Sequence, residues 1–141
     1  MNRQLSALAL CLLLAASTAH AASKGVPMLD KDGVQQGSAK VSLVKGSVSV
    51  KATLAPLPAT IDTGTEQFEA TLYKAYLTSS TDPALEIPLA TVYPTPLSKA
   101  SLKAALKGDL TQLGLDRVVI VAFSKDGLHS FDVLTGTLVA P

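Results

Sequence analysis

The sequence predicts an all-β fold, a single antiparallel β-sandwich of about six or seven strands. Three observations carry this. Val48, Val50, Ala52 and Leu54 alternate with polar neighbours, and Phe68, Ala70 and Leu72 do so again, the period of a strand with one buried face. The run Arg117–Phe123 is apolar on both faces and rich in β-branched residues, as a covered central strand requires. Short Gly- and Pro-bearing turns separate such segments. Short strands with frequent turn signals fit the immunoglobulin-like kind of sandwich.

Residues 1–21 read as a cleavable export signal. Arg3 supplies the basic end, Leu5–Ala16 the apolar run and Ala19-His20-Ala21 the cleavage site. The apolar run falls short of the roughly 20 residues that cross a bilayer. The expectation is a periplasmic or secreted protein with no stable membrane insertion once the signal is removed. Cys11, the one cysteine, lies in this signal and leaves with it. Stability then rests on a packed core without disulfides. Residues 22–38 carry Gly25, Pro27, Gly33 and Gly37 and are expected to form a flexible N-terminal arm. Its Asp30-Lys31-Asp32-Gly33 piece lacks the frame of a calcium loop and reads as a turn. Residues 39–141 are expected to form the sandwich domain.

Within that domain, Lys40–Leu54 has period-two alternation on both sides of Lys45-Gly46, the pattern of a hairpin. Ala55-Pro56-Leu57-Pro58 ends the second strand, because proline cannot donate to a ladder. Residues 61–67 read as a polar loop. A strand from Phe68 to Leu77 follows, with a phase change near Lys74 suggesting a bulge; a helix is the competing reading. Leu85–Val92 reads as an edge strand because of Pro88. Residues 98–108 leave two readings open, a short helix over 99–107 capped by Ser98 and Gly108, or a strand carrying Leu102, Ala104 and Leu106. After Arg117–Phe123, Ser124-Lys125-Asp126-Gly127 turns the chain into a last strand. Phe131 and Val133 should face inward there, with a bulge at Gly136.

Charge narrows the function classes. Beyond the signal, basic and acidic side chains balance and no run of like sign occurs. Nucleic acid is therefore not an expected partner. Ser124, Asp126, His129, Ser130 and Asp132 are the only constellation with hydrolase chemistry in reach. On a strand, however, His129 and Ser130 point to opposite faces, and no glycine-flanked serine elbow occurs. The expectation is no catalysis and no cofactor, with a small hydrolase using residues 124–132 as one alternative. Tyr73, Tyr76 and Tyr93 could line a ligand surface or pack at the rim.

Copper is the other alternative. If cleavage follows Ala19, His20 becomes the N-terminus, and its amine and imidazole together with Asp126 and His129 make a nitrogen and oxygen donor set for copper(II). Ser124-Lys125-Asp126-Gly127-Leu128-His129 resembles the S-x-D-G-H turn of CopC-type periplasmic copper carriers, with Leu128 inserted before the histidine. Cleavage after Ala21 removes His20 from the set.

The order of features from Ala39 to Leu138 is similar to the extracytoplasmic domain of RskA-type anti-sigma-K factors. The matching pieces are the hairpin Lys40–Leu54, the Leu57-Pro58 turn, the strand Gln67–Leu77, and the apolar strand Val118–Phe123 with its glycine-bearing turn. The family's Tyr-x-x-Trp-Leu motif becomes Phe68-Glu69-Ala70-Thr71-Leu72 here, without the tryptophan. Those factors also carry a cytoplasmic sigma-binding domain and a membrane helix, so sigma control does not carry over. The resemblance implies a β-sandwich that senses or binds. The expected function is thus an exported, non-catalytic interaction module for a protein or small ligand, with the edge near Leu85–Val92 as its pairing surface.

Overall fold

The computed structural model describes residues 23–44, 46–108, 110 and 113–138. These hold ten strands: β1 Ser23–Leu29, β2 Gln35–Val44, β3 Ser47–Leu54, β4 Thr60–Asp62, β5 Gln67–Glu69, β6 Leu72–Thr78, β7 Glu86–Val92, β8 Ala100–Lys107, β9 Arg117–Phe123 and β10 Ser130–Thr137. No helix occurs among the described residues. The fold is all-β, and every ladder is antiparallel.

Eight strands form one sheet in the order β7-β6-β9-β10-β1-β2-β3-β8, and β4 and β5 form a small separate ribbon. The edge strands β7 and β8 lie against one another without sharing a ladder. The sheet therefore curls into a sandwich-like, nearly closed barrel built from one sheet, with more strands than expected.

The hairpin β2–β3 pairs in unbroken register from Gly37↔Leu54 to Val44↔Ser47. Its connection holds Gly46 at φ 91°, a conformation that suits glycine; Lys45 lies outside the described residues. Val48, Val50, Ala52 and Leu54 are buried, and the residues between them meet water, as the alternation predicts.

The 98–108 ambiguity resolves as a strand. β8 pairs with β3 from Ala100↔Leu54 to Lys107↔Ser47, and Ala100, Leu102 and Ala104 are buried. Alanine, leucine and lysine favour a helix locally, but the free edge of β3 offers eight ladder positions and a core face, and tertiary pairing overrides propensity.

Residues 22–38, expected as a flexible arm, are corrected from Ser23 onward. β1 enters the sheet between β10 and β2, and Val26 and Met28 belong to the core. Gly33 and Asp30 instead close the β1–β2 turn, where the Asp30 carboxylate accepts the N–H groups of Asp32 and Val34 at 2.9 and 3.0 Å.

The polar loop expected at 61–67 is also corrected. Thr60–Asp62 pairs with Gln67–Glu69, with Ile61 opposite Phe68 and both buried. The phase change expected near Lys74 occurs earlier. Phe68 and Ala70 face the core on the ribbon; Tyr73, Ala75 and Leu77 face it on β6. The chain crosses from ribbon to sheet at Thr71, whose N–H donates to the Phe123 carbonyl at 2.9 Å. In β10 the register shift falls between Asp132 and Leu134, so the bulge lies before Gly136. Phe131 and Val133 pack against the core as expected, and Leu134 takes over beyond the bulge.

β7 pairs with β6 alone within the sheet, and Pro88 stands opposite Tyr76 next to a register shift. β9 lies between β6 and β10. Val118, Ile120 and Ala122 enter the core, while Val119 and Val121 are buried on the outer face.

Candidate functional site

Most of the chemistry-bearing residues singled out in the sequence fall on the β9–β10 turn. Its geometry starts from local bonds. Gly127 takes φ 72° and donates its N–H to the Ser124 carbonyl at 3.1 Å. The Asp126 carboxylate accepts the Ser124 hydroxyl at 2.5 Å and the Leu128 N–H at 3.0 Å. The Ser124 hydroxyl oxygen in turn accepts the His129 N–H at 3.1 Å. These bonds, the Ser124 hydroxyl foremost, hold the Asp126 carboxyl below its ordinary value.

The turn packs beside the junction of β5 and β6. The His129 ring stacks on Phe68, with centroids 5.7 Å apart and planes at 21°. Its Nδ1 lies 3.2 Å from the Glu66 carboxylate. Both side chains of this pair are about half exposed. Together these elements enclose an open groove of about 680 Å³, lined by Phe68, Glu69, Thr71, Ser124, Lys125, Asp126 and His129. Glu66 stands in the β4–β5 turn, within the stretch expected as a polar loop, and Phe68 lies on β5, where the sequence predicts a strand to begin. No local signal links Glu66 to His129, because the two stand 63 positions apart.

The residues 124–132 do not assemble as one cluster. The Ser124 hydroxyl is bonded to Asp126, while the imidazole is bonded to Glu66. Ser130 is exposed at the start of β10, and Asp132 lines a different pocket, on the sheet face beside Arg117. A serine relay needs its base between nucleophile and acid, and these bonds do not provide that order. For copper, His20 lies outside the described residues. Asp126 and His129 share the groove, but no group of three metal-ligating side chains occurs among the described residues.

The tyrosines separate into three environments. Tyr73 is wholly buried, Tyr76 lies partly covered on the outer face, and Tyr93 is exposed after β7. They do not form one ligand surface.

A second carboxylate, Asp116, ties the β6 end to the β9 start. It accepts the Ser80 N–H at 2.8 Å and the Ser80 hydroxyl, and the hydroxyl bond is the main reason its carboxyl lies below the ordinary 3.8. Asp30, Asp62 and Asp126 are lowered in the same sense. Lowered carboxyls add stability that is complete above their unfolded values and is lost as pH falls through the folded ones. Urea midpoints should therefore stay level from neutral pH down to about 4 and fall below it. Asp116→Asn should flatten part of that acid limb; an unchanged limb would show that the Ser80 bonds contribute nothing to acid stability.

Compared with protein-family models, with curated proteins and with solved structures, the chain has no match in any of the three.

Proposed function

We propose that the protein is an exported binding module that works without chemistry of its own and holds a short peptide segment of another envelope protein in the β9–β10 groove. The observation that carries the reading is the groove itself: an aromatic–imidazole stack beside a lysine and two carboxylates, on a rigid turn. Its volume lies in the range of sites that take small ligands or a few residues of chain. An apolar or aromatic side chain fits against the Phe68–His129 stack. Lys125 on one side and Glu69 and Asp126 on the other suit flanking charges of both signs. The turn bonds keep these groups fixed, so little ordering cost remains for binding.

The export signal Met1–Ala21 supports the location, and intact mass of the protein recovered from the envelope fraction should give Ala22 as the first residue. Panning a displayed peptide library against the full chain tests the binding. Peptides of mixed charge with one apolar side chain should be enriched, and His129→Ala and Lys125→Glu should each weaken them about tenfold, the worth of one or two polar contacts. A library that enriches nothing, or peptides that bind both variants as well as the parent, would overturn the reading.

A further inference from the structure

The outer face of β9 carries a feature the groove does not explain. Val119 and Val121 point away from the core, yet both are buried, although among the described residues no second layer of strands lies over them. Neighbouring side chains cover them instead. Tyr76 on β6 stands opposite Val119, and Lys74 stands opposite Val121. Between the covering side chains a pocket of about 150 Å³ remains, with the two valines in its lining, Tyr76 and Pro83 beside them, and Arg117, Glu86 and Asp132 also lining it.

Two polar atoms at this pocket are buried and have no partner: the Thr78 hydroxyl oxygen and Arg117 Nε. Thr78 is 9% exposed and lines the pocket. Buried polar groups of a native protein are nearly always bonded, and an orphan calls for an explanation. Asp116 does not provide one for Arg117. Its carboxylate oxygens are taken by Ser80, and Nε stands 3.9 Å away. Among the described residues the guanidinium makes a long 3.4 Å donation to the Ser79 carbonyl, and its side chain is 39% exposed, so further donors can turn to a ligand.

We infer that this pocket binds a small zwitterion, an α-amino acid the size of glycine or alanine. The carboxylate of the ligand takes the free donors of Arg117 and the Thr78 hydroxyl. Its ammonium faces Glu86 and Asp132, and its short apolar part rests on Val119 and Val121 beside the Tyr76 ring. Volume sets the size: a pocket of about 150 Å³ has room for only a small ligand. Charge sets the class. A plain anion would leave two carboxylates facing it, and a plain amine would leave Arg117 and Thr78 unmatched. The pocket lies apart from the β9–β10 groove and shares no residue with it, so each stands or falls alone.

Titration of the full chain with L-alanine, followed by amide chemical shifts, tests the inference. Saturable shifts should centre on Thr78, Arg117 and Val119 at millimolar ligand. Propionate and ethylamine, each with one of the two charges, should bind about tenfold more weakly. Thr78→Val keeps the side-chain volume and removes the orphan hydroxyl, so the protein should be as stable as the parent or more so while alanine affinity falls about tenfold. Arg117→Gln should abolish the shifts. Absence of saturable shifts with alanine, or unchanged affinity in Thr78→Val, would overturn the site. Propionate binding as tightly as alanine would overturn the zwitterion.

Discussion

Tyr73→Ala should be the most damaging single substitution in the core, lowering unfolding free energy by about 3–5 kcal/mol, the range for deleting a large buried ring. Tyr73 is fully buried on β6, with Ala122 of β9 on one side and Val92 of β7 on the other. Its hydroxyl donates to the Pro58 carbonyl, fastening the segment after β3 to the sheet. A loss of this size is a large share of the 5–15 kcal/mol typical of a domain. Tyr73→Phe keeps the ring, and should cost only about 1 kcal/mol for the stranded carbonyl. Urea denaturation of both variants reads the difference, and equal costs would mean that the hydroxyl, not the ring, holds the site. Burial pushes the Tyr73 hydroxyl up to about 12 from 10.0. A raised value stabilises the fold in full below the unfolded value, and the contribution is lost as pH rises from 10 toward 12. Tyr73→Phe should therefore move the onset of alkaline unfolding upward.

Gly136→Val should follow closely, costing about 3 kcal/mol by overpacking. Gly136 sits on β10 beneath β1. A Cβ there would lie 2.7 Å from the Met28 sulfur, 2.8 Å from a Val26 methyl and 3.2 Å from the Pro27 carbonyl. Met28 is flexible, but Val26 is stiff at χ1, the Pro27 carbonyl is backbone, and Val26 and Met28 are both in the core. The strain should fall on β1, which among the described residues shares one ladder position with β10, Leu29↔Thr135. Hydrogen exchange should show β1 amides losing protection before those of β9. Uniform loss across the sheet would show that β1 does not open separately.

How far the sequence disclosed this molecule depends on how far apart the paired residues stand. β3 is legible because each buried residue is flanked by serine, lysine or threonine at the water face, and β9 because five consecutive residues are buried. β1 is not, since Gly25 and Pro27 interrupt it and read as turn residues. β4 offers one apolar residue, Ile61, and reads as a loop until Phe68 stands opposite it. The turn Ser124–His129 could be recognised from Asp126-Gly127 alone. Its carboxylate partner Glu66 could not, because nothing near Glu66 marks it. The sheet-face pocket was hidden by the strength of the β9 signal: a strand apolar on both faces implies cover, and the sequence does not say that side chains rather than a second layer supply it. Arg117 at the head of that strand, the only arginine besides Arg3, was the available clue.

The placement of β1 between β2 and β10 bears on the order in which the molecule can assemble. The β1–β2, β2–β3, β6–β7 and β9–β10 ladders join segments near in sequence, whereas Leu29 meets Thr135 across nearly the whole described chain. Loop closure on that scale is slow and comes late. The β10–β1 contact that joins the two halves of the sheet should therefore form after the local hairpins. A circular permutant that links Leu138 to Ser23 through a few glycines and opens the chain at Gly46 would make β10–β1 a hairpin. Such a permutant should reach the same sheet sooner, at the cost of the β2–β3 connection.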